Sequence, residues 1–362
     1  AHPGQFIERR AGDRLPFAAR EVAHRGFVFK LNKTDDLTRT YYLRLQTSST
    51  SLLVPRLSSP EAFHASSKVE YALLTGSLAM LLTVLMLDGV AAMYWRDATS
   101  KWFFAFLASM VLSNMNVSGF TAEYLLPDAP AVTDALTSLA ALLVTTLGSG
   151  FYVRLYAIQP TQKIAYTLFQ VGAWLPLLTM PTVYSGHYVL VVPWIVKLTL
   201  LLIVVGSWLS YRNWRSGASG GGWIFAANLI SVLGYGVYNL SLGGILPWHL
   251  TPLYALQIAT LGSVLTLHFA LAARHRDMDQ VRVDSEKLAR AAELKAEMEH
   301  DNRLQQGKLL SMIAHEIRNA LAVLRMAIGQ QPMSAALIAR ADRAIHSMTS
   351  VIERTLQLER IA

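Results

Sequence analysis

Residues 188–210 read YVLVVPWIVKLTLLLIVVGSWLS, a 23-residue run in which Lys197 is the only charge. An α-helix rises 1.5 Å per residue, so about 20 such residues cover the roughly 30 Å of a bilayer's hydrocarbon core. Six more runs of comparable length and character lie near 69–93, 102–121, 134–156, 163–181, 223–246 and 253–273. Of all 362 residues, 53% are hydrophobic and only 15% charged, with a mean hydropathy of +0.33. A soluble domain carries nearer a quarter of its residues as charges. The chain is therefore predicted to be a mainly α membrane protein with seven transmembrane helices.

The connections give the orientation. Arg96, Lys101, Arg154, Lys163, Arg212 and Arg215 flank the odd-numbered connections, and Arg274, Arg276 and Arg282 follow the last run. The even-numbered connections, at 119–133, 182–187 and 247–252, hold no lysine or arginine. The positive-inside rule then puts the N-terminus outside and the C-terminus in the cytoplasm. Trp95, Trp102, Trp214, Trp223 and Trp248 stand near the ends of the runs, where interfacial aromatics belong. The net charge of +8 is spread over these membrane flanks rather than along a stripe, which argues against nucleic acid. With no cysteine there are no disulfides, thiolate metal sites or cysteine nucleophiles.

Residues 1–66 are polar and mixed. Gly26–Leu31, Thr40–Leu45 and Ser51–Val54 read as short strands, separated by the turn-prone 32–36 and stopped at Pro55. Three strands make a marginal core, so this segment reads as the end of an extracytoplasmic β-sandwich, or leans on the membrane domain. The chain starts without Met and shows no leader, and is read as a piece of a longer protein.

The membrane domain is assigned 67–275. Residues 276–307 are charged and repeat Met278, Val281, Leu288, Ala291, Leu294, Met298 and Leu304 at mostly three- and four-residue steps. They predict a cytoplasmic helical connector, an imperfect coiled coil whose seam is able to slip or rotate. Residues 308–362 predict two amphipathic helices. Leu310, Ile313, Ile317, Leu321, Leu324 and Ile328 line the first; Ile338, Ala341, Ile345, Met348, Ile352, Leu356 and Glu359 recur at the same spacing on the second. Gly329, Pro332 and Ser334 mark the turn between them. One antiparallel hairpin cannot enclose both stripes, whereas two form a four-helix bundle, so a homodimer is expected.

The chemistry sits on the first of these helices. His315 falls two positions from both Ile313 and Ile317, which turns it away from the apolar stripe. Glu316 is adjacent and Asn319 lies one turn on, on the same face. A nucleophilic imidazole must be neutral at the attacking nitrogen, and a nearby carboxylate can take up a proton or fix the tautomer.

These residues carry a resemblance. Residues 308–328 look like the phosphoacceptor box of sensor histidine kinases, and 334–360 like the second helix of the same dimerisation and phosphotransfer domain. Residues 67–275 are similar to bacterial seven-transmembrane receptors with diverse intracellular signalling modules. Residues 13–63 look like the last strands of that family's extracytoplasmic β-sandwich. The resemblance implies a sensor histidine kinase in a bacterial inner membrane. His315 would be the phosphoacceptor, Glu316 the acid/base neighbour, and Asn319 the residue positioning water for dephosphorylation. It further implies a homodimer, a response-regulator partner, surrounding lipid and an unidentified extracytoplasmic ligand. ATP would be the phosphoryl donor, bound by a catalytic domain whose glycine-rich boxes this chain does not contain. Where the family usually has proline this sequence has Ala320, so the usual helix kink is not expected.

Other polar residues read first as structural. Asp88 is expected to reach the headgroups at the cytoplasmic end of its helix. Lys197 lies deeper and is the better candidate for a partner or ligand, while His268 also stands inside a run. Asn114, Asn116, Asn228 and Asn239 are candidates for interhelical hydrogen bonds. His300 and His346 read as surface residues, and the glycines of 217–222 as a short loop rather than a nucleotide cradle. Two other classes compete: a dimerising adaptor that modulates a separate kinase, and a transporter or light-absorbing seven-helix protein. Residues 253–273 hold no lysine for a retinal Schiff base, and no inverted repeat is evident.

Overall fold

The computed structural model describes residues 8–31, 40–46, 55–242, 244–246, 250–328 and 335–359. It divides into two compact units, Ala1–Asp277 and Met278–Ala362. The helices are α1 Pro60–Trp95, α2 Ala98–Val117, α3 Pro130–Leu155, α4 Lys163–Thr179, the single turn α5 Thr182–Ser185, α6 Tyr188–Arg215, α7 Gly221–Leu242, α8 Leu250–Ile328 and α9 Ala335–Glu359.

Each of the seven apolar runs falls mainly on a separate helix, α1 to α4 and α6 to α8, although 102–121 and 223–246 extend past the ends of α2 and α7. Among the described residues five helices, α1, α3, α6, α7 and α8, are long and apolar enough to cross a membrane. The other two fall short for local reasons. Helix α4 has 17 residues. Helix α2 carries Lys101, Ser109, Asn114 and Asn116, yet it is the most enclosed, burying Phe103, Phe106, Leu107, Met110 and Val111. A helix walled by other helices need not be apolar all round, because Ser109 and Asn116 return their hydrogen bonds to their own backbone at Phe106 and Leu112.

One core joins α1, α2, α3, α7 and α8 through Leu81, Val84, Phe103, Phe151, Ile224 and Val264. A second joins α3, α4 and α6 through Phe169, Leu202 and Leu209. Helices α7 and α8 approach so closely that a Cβ on Gly234 would meet the Ala259 methyl at 2.0 Å. Gly220 turns left-handed at φ 69° and leaves no room beside the Ala270 carbonyl. The glycine run at 217–222 is thus a packing corner.

Among the described residues of the N-terminal segment the expected strands do not form. Residues 27–31 and 40–46 are irregular, and 51–54 lie outside the described residues. An extended segment becomes a strand only when a neighbour completes its hydrogen-bond ladder, and among the described residues none does. Residues 8–31 instead lie on the end of the helical bundle. The Phe17 N–H donates to the Pro127 carbonyl. Arg25 pairs with Glu70 of α1 and donates from Nε to the Ser118 carbonyl at 2.8 Å. The Tyr71 hydroxyl donates to Glu123 at 2.7 Å. Helix α1 begins at Pro60, ahead of its apolar run, capped by the Ser59 hydroxyl, which accepts from the Ala62 N–H.

Candidate functional site

In the unit Met278–Ala362, connector residues 278–307 are helical throughout and exposed, with local ion pairs such as Arg282–Glu286 at 3.2 Å. The helix continues unbroken through Ala320, which is buried. The replacement of proline by alanine explains both: the i−4 hydrogen bond is kept, and the small side chain lets a neighbouring surface approach.

On this helix Ile313, Ile317 and Leu324 are half-buried around Ala320, and on α9 Leu337, Ala341 and Met348 are half-buried around buried Ala344. The buried face is shifted from the expected stripes, since Leu310, Leu321, Ile338, Ile345 and Ile352 remain exposed. Each stripe is wider than one helix–helix contact can cover. The turn residues Gly329, Pro332 and Ser334 lie outside the described residues, as do the side chains of Ile328, Leu356 and Glu359.

His315, Glu316 and Asn319 are all exposed; His315 and Asn319 face away from Ile313, Ile317 and Ala320, while Glu316 lies one turn before Ala320 at the edge of that buried face. Among the described residues no side-chain hydrogen bond or ion pair engages them. The imidazole therefore stands open to a protein or nucleotide arriving from solvent, with a carboxylate beside it and an amide one turn on.

His346 is also exposed, but it is not without a neighbouring carboxylate. Asp342, one turn earlier, places its Oδ1 3.7 Å from His346 Nδ1, and the same nitrogen lies 3.1 Å from the Asp342 carbonyl. That local bond orients the ring along its own helix. His300 is exposed.

In the unit Ala1–Asp277, Asp88 does not point outward. It is buried, and His268 Nδ1 sits 3.0 and 3.2 Å from its two oxygens, pairing α1 with α8. Lys197 points outward and lies 4.5 Å over the ring of Trp194 on its own helix. Asn228 does join helices: its Nδ2 donates to the Tyr156 hydroxyl at 2.9 Å, and that hydroxyl donates to the Gly206 carbonyl. Asn239 bonds only its own helix, at Tyr235.

Sequence reading did not single out His275. It is buried, stacked on Trp95 with ring centroids 4.6 Å apart, and its Nε2 lies 3.0 Å from the Ser100 hydroxyl. The partners come from α1 and α2, some 180 residues away, so the only trace in the sequence was the seven-residue spacing from His268 to His275.

Residues 70–274 match the model of the 7TM diverse intracellular signalling family. Residues 1–59 match its second extracellular domain, and residues 305–362 match the His Kinase A (phospho-acceptor) domain. No curated protein and no solved structure matches the chain.

Proposed function

The chain belongs to the 7TM diverse intracellular signalling family, and from that membership we propose a membrane sensor histidine kinase that relays phosphate through His315. The reading is supported by one observation above the rest: exposed His315 and Asn319 opposite the buried side of a phosphoacceptor helix, with exposed Glu316 at their flank.

In the proposed reaction a neutral ring nitrogen of His315 attacks the γ-phosphorus of ATP held by a catalytic domain outside these residues. The P–N bond forms as the bond to the ADP oxygen breaks, and Glu316 accepts the imidazole proton. A receiver-domain aspartate then attacks the same phosphorus and the P–N bond breaks as Glu316 returns its proton to the ring, leaving an acyl phosphate and a neutral histidine. Asn319 orients the water that later hydrolyses that acyl phosphate. The stimulus enters from outside or within a seven-span bundle in the bacterial inner membrane, its β-sandwich ectodomain outside and its C-terminus in the cytoplasm. The connector carries the movement to a homodimeric four-helix bundle.

The test is to supply a separate kinase catalytic domain and labelled ATP to the chain in lipid. Acid-labile, base-stable label that disappears in His315→Gln is expected. Asn319→Ala should still take up label, but should lengthen the life of the phosphorylated receiver by about 10-fold or more. Absence of label in the unaltered chain overturns the reading.

A further inference from the structure

Two histidines on one face of α8 each lie beside a carboxylate, one from α1 and one from the corner between α1 and α2. Residues seven apart on a helix drift by only about 20°, so His268 and His275 project to the same side. Asp88 and Trp95 on α1 are also seven apart, and the pairs Asp88–His268 and Trp95–His275 share one offset, so α1 and α8 run parallel in a fixed register.

The lower contact is incomplete. Arg96 turns the chain in a left-handed conformation, φ 52°, and Asp97 caps α2, its Oδ2 accepting from the Ser100 N–H at 3.1 Å. Its other oxygen, Oδ1, is buried, has no hydrogen-bond partner, and lies 3.6 Å from His275 Nε2. A buried unpaired carboxylate oxygen is costly, and one beside an imidazole nitrogen is short of a single proton.

We propose that Asp97 and His275 form a proton-binding site, by which cytoplasmic pH is a second input to this receptor. With neutral His275, Nε2 accepts from the Ser100 hydroxyl and Asp97 Oδ1 stays unpaired. With a proton on Nε2, the ring donates to Oδ1 and binds α8 to the α1–α2 corner. Asp88–His268 is the fixed upper rung about which the lower one opens. The groups facing His275 are Asp88 and Trp95 from α1, Asp97 from the corner, Ser100 from α2, and Arg274 on its own helix. Burial is the largest influence and opposes the charged ring, as does Arg274; the two carboxylates, Asp97 before Asp88, favour it. Helix α7 adds Trp223 against Phe269, with no charge there among the described residues.

The inference rests on α8 as the output helix, but its test needs no phosphorylation. The whole chain, in lipid nanodiscs with ring-¹⁵N histidine, is titrated between about pH 5 and 8. A resonance that vanishes in His275→Gln should titrate, and its midpoint should fall in Asp97→Asn. Asparagine caps helices as well as aspartate does, so the second variant removes charge and keeps the fold. With nitroxides on Lys163→Cys and Asp284→Cys, unique in this cysteine-free chain, the distance distribution should shift with pH. The shift should be lost in Asp97→Asn and kept in His346→Gln. A midpoint unchanged in Asp97→Asn, a His275 that does not titrate, or a shift that survives His275→Gln overturns the proposal.

Discussion

His24 shows how one side chain ties the N-terminal segment down. It is buried against Phe63 and Tyr71, with ring centroids 5.1 and 5.5 Å away, and its Nε2 is 3.4 Å from the Ser67 hydroxyl. Burial pushes its pKa below the ordinary value, against the pull of Glu70. The docked state therefore favours the neutral ring. Above the free value of about 6.5 docking carries no proton penalty; as pH falls through that value the undocked segment binds the proton first and docking weakens. A nitroxide on Val28→Cys is expected to become more mobile below about pH 6 in the unaltered protein and to lose that response in His24→Gln. The pair Arg25–Glu70 makes a second residue-scale case, with both side chains largely buried. Removing one partner strands the other charge, so Arg25→Met alone should cost about 3–5 kcal/mol, and Arg25→Met with Glu70→Leu less than either change alone. Chemical denaturation of the single and double variants measures the difference. At this scale the exposure of His315 was legible because it follows from position on a helix, whereas the partners of Asp88 and His275 were not, because nothing local encodes a contact 180 residues away.

Among the elements, the helices were legible and the strands were not, for one physical reason. A helix satisfies its backbone within its own sequence, so apolar run length sufficed to place α1 to α4 and α6 to α8, though not the single turn α5. The runs at 26–31 and 40–45 have strand-like composition, but a strand is completed by another segment. The same reasoning separates α2 from the other helices. Its serines and asparagines lower its hydropathy, and only the surrounding helices explain why it is enclosed. The close approach of α7 and α8 at Gly234 and Ala259 was equally invisible, since a lone glycine in an apolar run has many readings. Here the space is decisive: Gly234→Leu should force α7 from α8 and cost about 1–3 kcal/mol or more. A fall in the thermal midpoint of the detergent-solubilised protein checks this, with Gly236→Ala as the control, because nothing lies within 4 Å of a Cβ there.

For the whole molecule, the apolar surface left over in the unit Met278–Ala362 points to a second copy. Ala320 and Ala344 are buried, and the half-buried side chains around them account for one face of each helix. Ile338, Ile345 and Ile352 recur every seven residues on α9 and stay exposed, joined by Leu310 and Leu321 on α8. A soluble surface does not ordinarily keep such a stripe open, and a two-fold partner presenting the same stripe would close it into a four-helix core. His315 would remain outside that core, since its face is opposite both the buried and the leftover stripes. Replacing Ile345 and Ile352 with glutamine should therefore convert a dimer to a monomer while leaving helix content intact, because glutamine is a good helix former. Multi-angle light scattering and circular dichroism read the two quantities separately. A disulfide formed by Ile345→Cys in membranes, and not by the fully exposed His346→Cys, would place the two-fold axis beside α9.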